Sequence, residues 1–207
     1  VSTDNVLKKI LTGLTKLEYR GYDSSGIALN TDQMIITKRA EGKLVNLKNI
    51  LKKTKIKGNI GIGHTRWATH GIPSKKNAHP HSTNSVAIVH NGIIENYQDL
   101  KENLLNKGCI FKSQTDSEVI AHELSILLDK GFLPSEAVKK TLPKLEGAFA
   151  LAILFRDYKT LIGARRGSPL ALGISKNELF LGSDSIAISP FTQKICFLEE
   201  GDWVEIK

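Results

Sequence analysis

Five of the six histidines, His64, His70, His79, His81 and His90, fall within 27 residues of a chain of 207. Metal ligation is the first chemistry such a cluster suggests, with His79-Pro80-His81 as two ligands. No Asp, Glu or Cys lies between His64 and His90 to complete a set, and proline spoils a strand-borne pair. The residues therefore favour loop histidines bonded to backbone, and no metal is expected. His90-Asn91-Gly92 has a different logic, because it ends an apolar run, Val86 to Val89, that reads as a buried strand. The Asn91 amide and the unhindered N–H of Gly92, aimed at one point, make an oxyanion hole, although Asn-Gly alone is more often a turn. Arg66 stands at a strand end beside a long polar loop and suits a carboxylate clamp. Asp116 begins a predicted helix, where it either caps the helix or holds an ammonium group. Together Arg66, Asp116 and Asn91-Gly92 suit an amino acid whose side-chain carbonyl is attacked.

The elements that must position these groups are readable from spacing. Ser2-Thr3-Asp4 reads as an N-cap before Val6, Ile10, Leu14 and Leu17 at helical intervals. A loop, Tyr19 to Gly26, leads to a hairpin of Ile27–Leu29 and Met34–Thr37 around Asn30-Thr31-Asp32. A short helix over 46–53, a strand over 60–65 and a polar loop over 66–85 follow. Loops this long in compact domains are usually functional. Helices are predicted over 94–106, from a Thr115-x-x-Glu118 capping box to 128, and over 135–145. Six strands then succeed one another from Ala148 to Ile206. Strands flanking a helical middle predict an α+β domain, most simply two sheets packed face to face with helices outside.

Composition excludes several classes. There are 29 Lys+Arg against 21 Asp+Glu, a net charge of +8. Nearly all of the excess is lysine, concentrated between Lys38 and Lys57 without interleaved aromatics. That pattern favours a solvated face over a nucleic-acid surface, where arginine is the usual contact. No apolar run approaches the ~20 residues of a membrane span, and no signal peptide opens the sequence. Cys109 and Cys196 are too few for a disulfide scaffold and fit a reducing compartment. Both sit in apolar runs and are read as buried hydrophobes. A cytoplasmic globular domain is expected.

The runs Leu17 to Gly26, Gly63 to Gly71, Asn77 to His81, His90 to Tyr97 and Thr115 to Val119 resemble the glutaminase domain of the glucosamine-6-phosphate synthase family. The resemblance covers almost the whole chain with its motifs in order. It implies a class II glutamine amidotransferase, an N-terminal-nucleophile hydrolase fold of four αββα layers, acting without a cofactor. It implies that Arg66 binds the glutamine carboxylate and Asp116 its α-ammonium. Asn91 and Gly92 would form the oxyanion hole, Thr69 and His70 would line the pocket, and Trp67 would sit in a loop closing over glutamine. Ammonia would pass to fructose-6-phosphate on isomerase domains outside residues 1–207, in a homo-oligomer.

One departure matters. The family's nucleophile is a cysteine at the mature N-terminus, heading a strand of the form Cys-Gly-Ile-Val-Gly, with its own α-amino group as base. Residue 1 here is Val1, and neither Cys109 nor Cys196 is suited to replace it. The expectation is a single domain over 1–207, trimmed at both ends, lacking its first strand and unable by itself to hydrolyse glutamine. A groove or unpaired strand edges are expected where that strand belongs. Two alternatives remain at this point. One is a glutamine-binding domain without catalysis, against which the intact set of Arg66, Asn91, Gly92 and Asp116 argues. The other is a different class II amidotransferase, against which Trp67 and the Leu-Glu-Tyr-Arg-Gly-Tyr-Asp run argue.

Overall fold

Val6, Ile10 and Leu14 recur at helical spacing, and the computed structural model, which describes residues 1–31 and 34–207, forms α1 there, Leu7–Leu17. Chain order continues with β1 (Ser24–Asn30), β2 (Ile35–Glu41), α2 (Leu44–Lys52) and β3 (Ile60–Arg66). Next come β4 (His81–Ser82), β5 (Val86–Ile94), α3 (Tyr97–Asn106), α4 (Glu118–Asp129) and α5 (Pro134–Thr141). The remainder is β6 (Gly147–Phe155), β7 (Leu161–Arg166), β8 (Ala171–Ile174), β9 (Leu179–Gly182), α6 (Ser185–Ile188), β10 (Ile195–Phe197) and β11 (Trp203–Ile206).

These elements make four layers. A five-stranded antiparallel sheet has the order β11-β7-β6-β5-β4. One face buries Val86, Ile88, Phe149, Leu151 and Ile153 against Leu104, Val119, Leu124 and Val138 of α3, α4 and α5. Its other face puts Ala87, Val89 and Leu154 against Ala28, Ile60 and Ile62 of β1 and β3. On the far side of that second sheet, Ile27 and Leu29 pack on Leu14 of α1 and on Leu44, Leu47 and Leu51 of α2. Alternate residues of β1 thus serve two cores, which is why its burial is nearly continuous. The fold is an αββα sandwich, as the strand-helix-strand order predicts.

The second layer is made of two three-stranded sheets, β2-β1-β3 and β10-β8-β9. Among the described residues, the outer edges of β3 and β9 carry no strand partner. Only Val1 and Ser2 span them: Val1 N donates to the Leu179 carbonyl at 2.8 Å, and Ser2 N to the Asn59 carbonyl at 2.9 Å. Beyond Ser2 the two edges bound an apolar trough.

Several local expectations are corrected. Ser2 does not cap α1; it is buried, and its hydroxyl bonds Glu178, which Lys9 also pairs. α1 therefore starts on Val6 with no side-chain cap. β5 runs through Asn91-Gly92 to Ile94 instead of ending at Val89, so α3 starts only at Tyr97. The Thr115–Glu118 capping box does not form. Glu118 reaches back to the N–H groups of Lys112 and Ser113, at 2.9 and 2.7 Å. α6 goes unpredicted, although Asp184 caps it by accepting the Ile186 N–H at 3.0 Å. Cys196 is exposed on β10 and Cys109 only partly buried, so neither is the core residue expected. The β1–β2 hairpin forms, but Asp32 of its expected turn lies outside the described residues.

Gly26 on β1 shows how closely the layers approach the site. A Cβ there would lie 2.2 Å from the His79 carbonyl oxygen and 2.9 Å from that of Lys38, both backbone atoms that cannot move alone. Gly26→Ala is expected to destabilise the protein by about 2–3 kcal/mol, read as a lowered urea midpoint. An unchanged midpoint would show that β1 is not pressed against this loop.

Candidate active site

The end of β3, the middle of β5 and the segment before α4 converge on one cavity of ≈ 460 Å³. That volume lies in the range of small-molecule sites. Its polar end is walled by Arg66, Trp67, Thr69, Asn91, Gly92 and Asp116, and it continues into the trough between β3 and β9. Six of the seven residues named from the sequence thus share one cavity. His70 is not on its wall. Its ring packs edge-on against Tyr97 at 5.3 Å, and its carbonyl accepts from Arg66.

Arg66 ends β3 and is 4% exposed. Its Nη2 donates to the carbonyls of His70 and Gly71, the latter at 3.1 Å, so the guanidinium is locked to the loop that follows it. Its Nη1 is buried and has no partner among the described residues. An unpaired guanidinium nitrogen on a cavity wall is the donor a carboxylate needs. Burial pushes the Arg66 pKa down, with Asp23 and Asp116 opposing. Asp23 also accepts the Ala68 N–H, and Tyr22 meets Trp67 edge-on at 5.7 Å. The loop carrying Trp67 and Thr69 is held to the β1 side by these contacts. Trp67 is 60% exposed and rims the cavity, where a closing loop would stand.

β4 pairs with β5 only at Ala87 and Ile88, so beyond Val89 one edge of β5 is open. Asp116 uses that edge: its Oδ2 accepts the Ile94 N–H at 2.8 Å, and Ser117 donates to its Oδ1 at 3.3 Å. In a strand, N–H groups two residues apart point the same way, which puts the Gly92 N–H on the same edge. Asn91 precedes it on the cavity wall. Gly92 has φ +146, and a Cβ there would lie 2.0 Å from the Ala148 oxygen on β6.

A nest of imidazoles adjoins this floor, with His79, His81 and His90 buried and His64 half-buried. His64 and His79 have ring centroids 4.4 Å apart, and His79 and His81 4.5 Å. His81 Nε2 bonds Thr115 at 3.0 Å and His90 Nδ1 bonds Ser117 at 2.9 Å. Desolvation pushes all four below the usual histidine range, His64 and His81 to about 3. They are neutral at pH 7; His81 and His90 bond side chains, not the backbone expected, and neither nitrogen of His79 has a partner among the described residues. Among the described residues no group of three or more His, Cys, Asp or Glu is arranged to hold a metal ion. Neither cysteine lines the cavity. Two contributors went unnamed in the sequence reading. Asp23 falls inside the Tyr19–Gly26 loop and Ser117 inside the Thr115-x-x-Glu118 spacing, and neither was given a role.

The sequence and the fold are similar to those of known proteins. Residues 64–190 match the family described as glutamine amidotransferase domain. The whole chain is 52% identical to a glutamine–fructose-6-phosphate aminotransferase (isomerizing) of Mesorhizobium japonicum, of which it covers 34%. It is 53% identical over 99% of its length to the protein of that name from Zymomonas mobilis, again covering 34%. The chain thus spans about a third of the length of the curated relatives it matches. Among solved structures, a glutamine phosphoribosylpyrophosphate amidotransferase from B. subtilis superposes over 99% of the chain and 45% of its own, with TM-score 0.82 and 28% identity. An allosteric regulatory enzyme of purine biosynthesis superposes over 88% of the chain and 40% of its own, with TM-score 0.76 and 28% identity. With the αββα sandwich, the cavity and a family match over more than half of the sequence, the chain belongs to the glutamine amidotransferase domain family.

Proposed function

We propose that the cavity binds L-glutamine and that the domain is the glutaminase part of a glucosamine-6-phosphate-forming aminotransferase. The observation that carries this is the pairing of an unpartnered buried Arg66 Nη1 with Asp116 and the open Asn91-Gly92 edge in one cavity. The α-carboxylate lies on Arg66 and the α-ammonium on Asp116, with Thr69 and Trp67 enclosing the substrate while His70 acts only through its carbonyl on Arg66. The side-chain carboxamide then reaches Asn91 and Gly92. A cysteine thiolate, with its α-amino group as base, attacks the amide carbon. The oxyanion is held by the Asn91 side chain and the Gly92 N–H, ammonia leaves with the proton the base took, and water hydrolyses the thioester to glutamate. The trough between the unpaired edges of β3 and β9 is where the extended strand that carries this family's nucleophile would run. Residues 1–207 alone hold no thiol at the cavity, and we expect them not to turn glutamine over. In the native protein ammonia goes to fructose-6-phosphate on isomerase domains, in a cytoplasmic homo-oligomer. No helix among the described residues is long and apolar enough to cross a membrane.

The test is release of glutamate and ammonia from L-glutamine by the native protein, followed by Asn91→Ala. Losing one oxyanion donor lowers kcat about 10²–10³-fold. Unchanged turnover in Asn91→Ala overturns the mechanism. Glutamine binding by the native protein without ammonia release would favour a binding domain instead.

A further inference from the structure

Asn77 lies in the loop between β3 and β4 and has no part in the chemistry above. It is 2% exposed. Its Oδ1 accepts the backbone N–H of Gln114 at 2.9 Å. A backbone N–H can only donate, so the orientation of the amide is fixed. Its Nδ2 then donates to the Ile72 carbonyl at 2.9 Å and to Gln114 Oε1 at 3.0 Å. The chain around it is shaped to admit the amide. Gly71 takes φ +76, and a Cβ there would stand 2.7 Å from Asn77 Nδ2.

The two segments so joined carry opposite ends of the site. On one side, Ile72 directly follows His70 and Gly71, whose carbonyls hold Arg66 Nη2. On the other, Gln114 leads through Thr115 to Asp116. β3, which ends in Arg66, and the segment before α4 are not strand partners. The segment before α4 is tied to β4 by the Thr115–His81 bond at 3.0 Å and to β5 by the Ser117–His90 bond at 2.9 Å and the Asp116–Ile94 bond at 2.8 Å, whereas Asn77 is the side chain that ties it to the loop holding Arg66. Arg66 and Asp116 are the groups assigned above to the carboxylate and the ammonium of an α-amino acid.

We propose that Asn77 is a positioning residue: its buried amide sets the separation between Arg66 and Asp116, and with it the site's preference for ligands bearing both an α-carboxylate and an α-ammonium. This rests on the glutamine-site reading above. A ligand that engages only Arg66 does not sense that separation, whereas L-glutamine does.

The experiment is done on the native protein and reads an apparent Kd for L-glutamine from the concentration dependence of turnover and one for glutaric acid monoamide, which keeps the carboxylate and carboxamide but lacks the α-amino group, from its competition with glutamine. In Asn77→Ala, Kd for L-glutamine is expected to rise about 10-fold or more, since misplacement by ~1 Å is costly in such sites. Kd for the monoamide should move less than about threefold. Turnover at saturating glutamine should stay within about threefold, because the oxyanion donors on β5 are untouched. Gln114→Ala is the second variant. That side chain is exposed, so its loss leaves the fold intact while removing half of the latch, and a smaller rise in the same direction is expected. Folded variants with unchanged glutamine affinity overturn the inference, as does an equal loss for both ligands, which would mean simple collapse around Arg66. A wild-type protein that binds no glutamine overturns the parent reading instead, and is recognised before any variant is made.

Discussion

Gly92→Ala is expected to remove glutamine turnover almost entirely and to weaken the central sheet at the same time. The two effects have separate causes. Gly92 has φ +146, a region that L side chains rarely adopt, and its place in the β5–β6 ladder opposite Phe149 prevents relaxation. An added Cβ would stand 2.0 Å from the Ala148 oxygen and 2.9 Å from the Phe149 Cα, both fixed in β6. Backbone strain and overpacking together are expected to destabilise by about 2–5 kcal/mol. The chemical effect comes on top. β5 must bend away from β6 to admit the methyl group, and that carries the Gly92 N–H off the point where it meets the Asn91 amide. Loss of one such donor lowers kcat about 10²–10³-fold even when the fold holds. The measurement is kcat per folded molecule, beside a urea unfolding curve. Leu105→Ala, on α3 away from the cavity wall and 51% exposed, is the control and should leave both nearly unchanged. Wild-type turnover in folded Gly92→Ala would remove Gly92 from the oxyanion role.

The polar wall of the cavity was legible in the sequence because its residues are the wrong types for their neighbourhoods. Asn91-Gly92 after a four-residue apolar run, and Arg66 after a glycine-punctuated strand, stand out without any fold. What stayed hidden was long-range pairing. Reading Asn91-Gly92 as the end of β5 was natural, since local turn chemistry favours it. Continuous pairing with β6 from Val86 to Ile94 overrides that preference, and only the partner strand reveals it. Glu118 misled for a similar reason. Thr115-x-x-Glu118 has capping-box spacing, yet the carboxylate finds two N–H groups upstream and the Ser113 hydroxyl at 2.6 Å, which together outbid one cap. Ser2 looked like a cap because Glu178, its real partner, is 176 residues away. His70 shows the limit on the functional side. Its place in the motif suggested a pocket wall, while the fold uses its carbonyl for Arg66 and turns its ring to Tyr97. The histidine cluster was visible as a cluster, but its burial was not, because nothing in a polar loop announces that it folds beneath β1.

That burial leads to the second large expectation, a steep loss of stability in mild acid. His64, His79 and His90 lie on the cavity wall with His81 beside them, and burial holds all four below the ordinary histidine value of 6.5, His64 and His81 at about 3. Above pH 6.5 these rings are neutral whether the chain is folded or not, so they add no pH dependence. Below it the unfolded chain takes up protons that the native state refuses until about pH 3. Each such histidine then removes about 1.4 kcal/mol of stability per pH unit. From His64 and His81 alone the loss between pH 6.5 and 4.5 is about 5 kcal/mol, a large part of the 5–15 kcal/mol typical of a domain. Glu118 works in the same direction further down. Burial alone would raise its pKa, but the His122 ring 3.6 Å away and hydrogen bonds from the Ser113 hydroxyl and the Lys112 and Ser113 N–H groups bring it to about 2. Its contribution is present above 4.5 and fades as pH falls towards 2. Urea midpoints should therefore fall steeply from pH 6 to 4.5. A midpoint constant from pH 7 to 5 would mean that the rings reach water or find charge partners in solution. The slope identifies the responsible group better than the midpoint does. His81→Gln keeps a side chain able to bond Thr115, and it should reduce the acid slope by one proton even if its stability at pH 7.5 is lower. An exposed substitution that merely destabilises shifts the whole curve and leaves its slope alone.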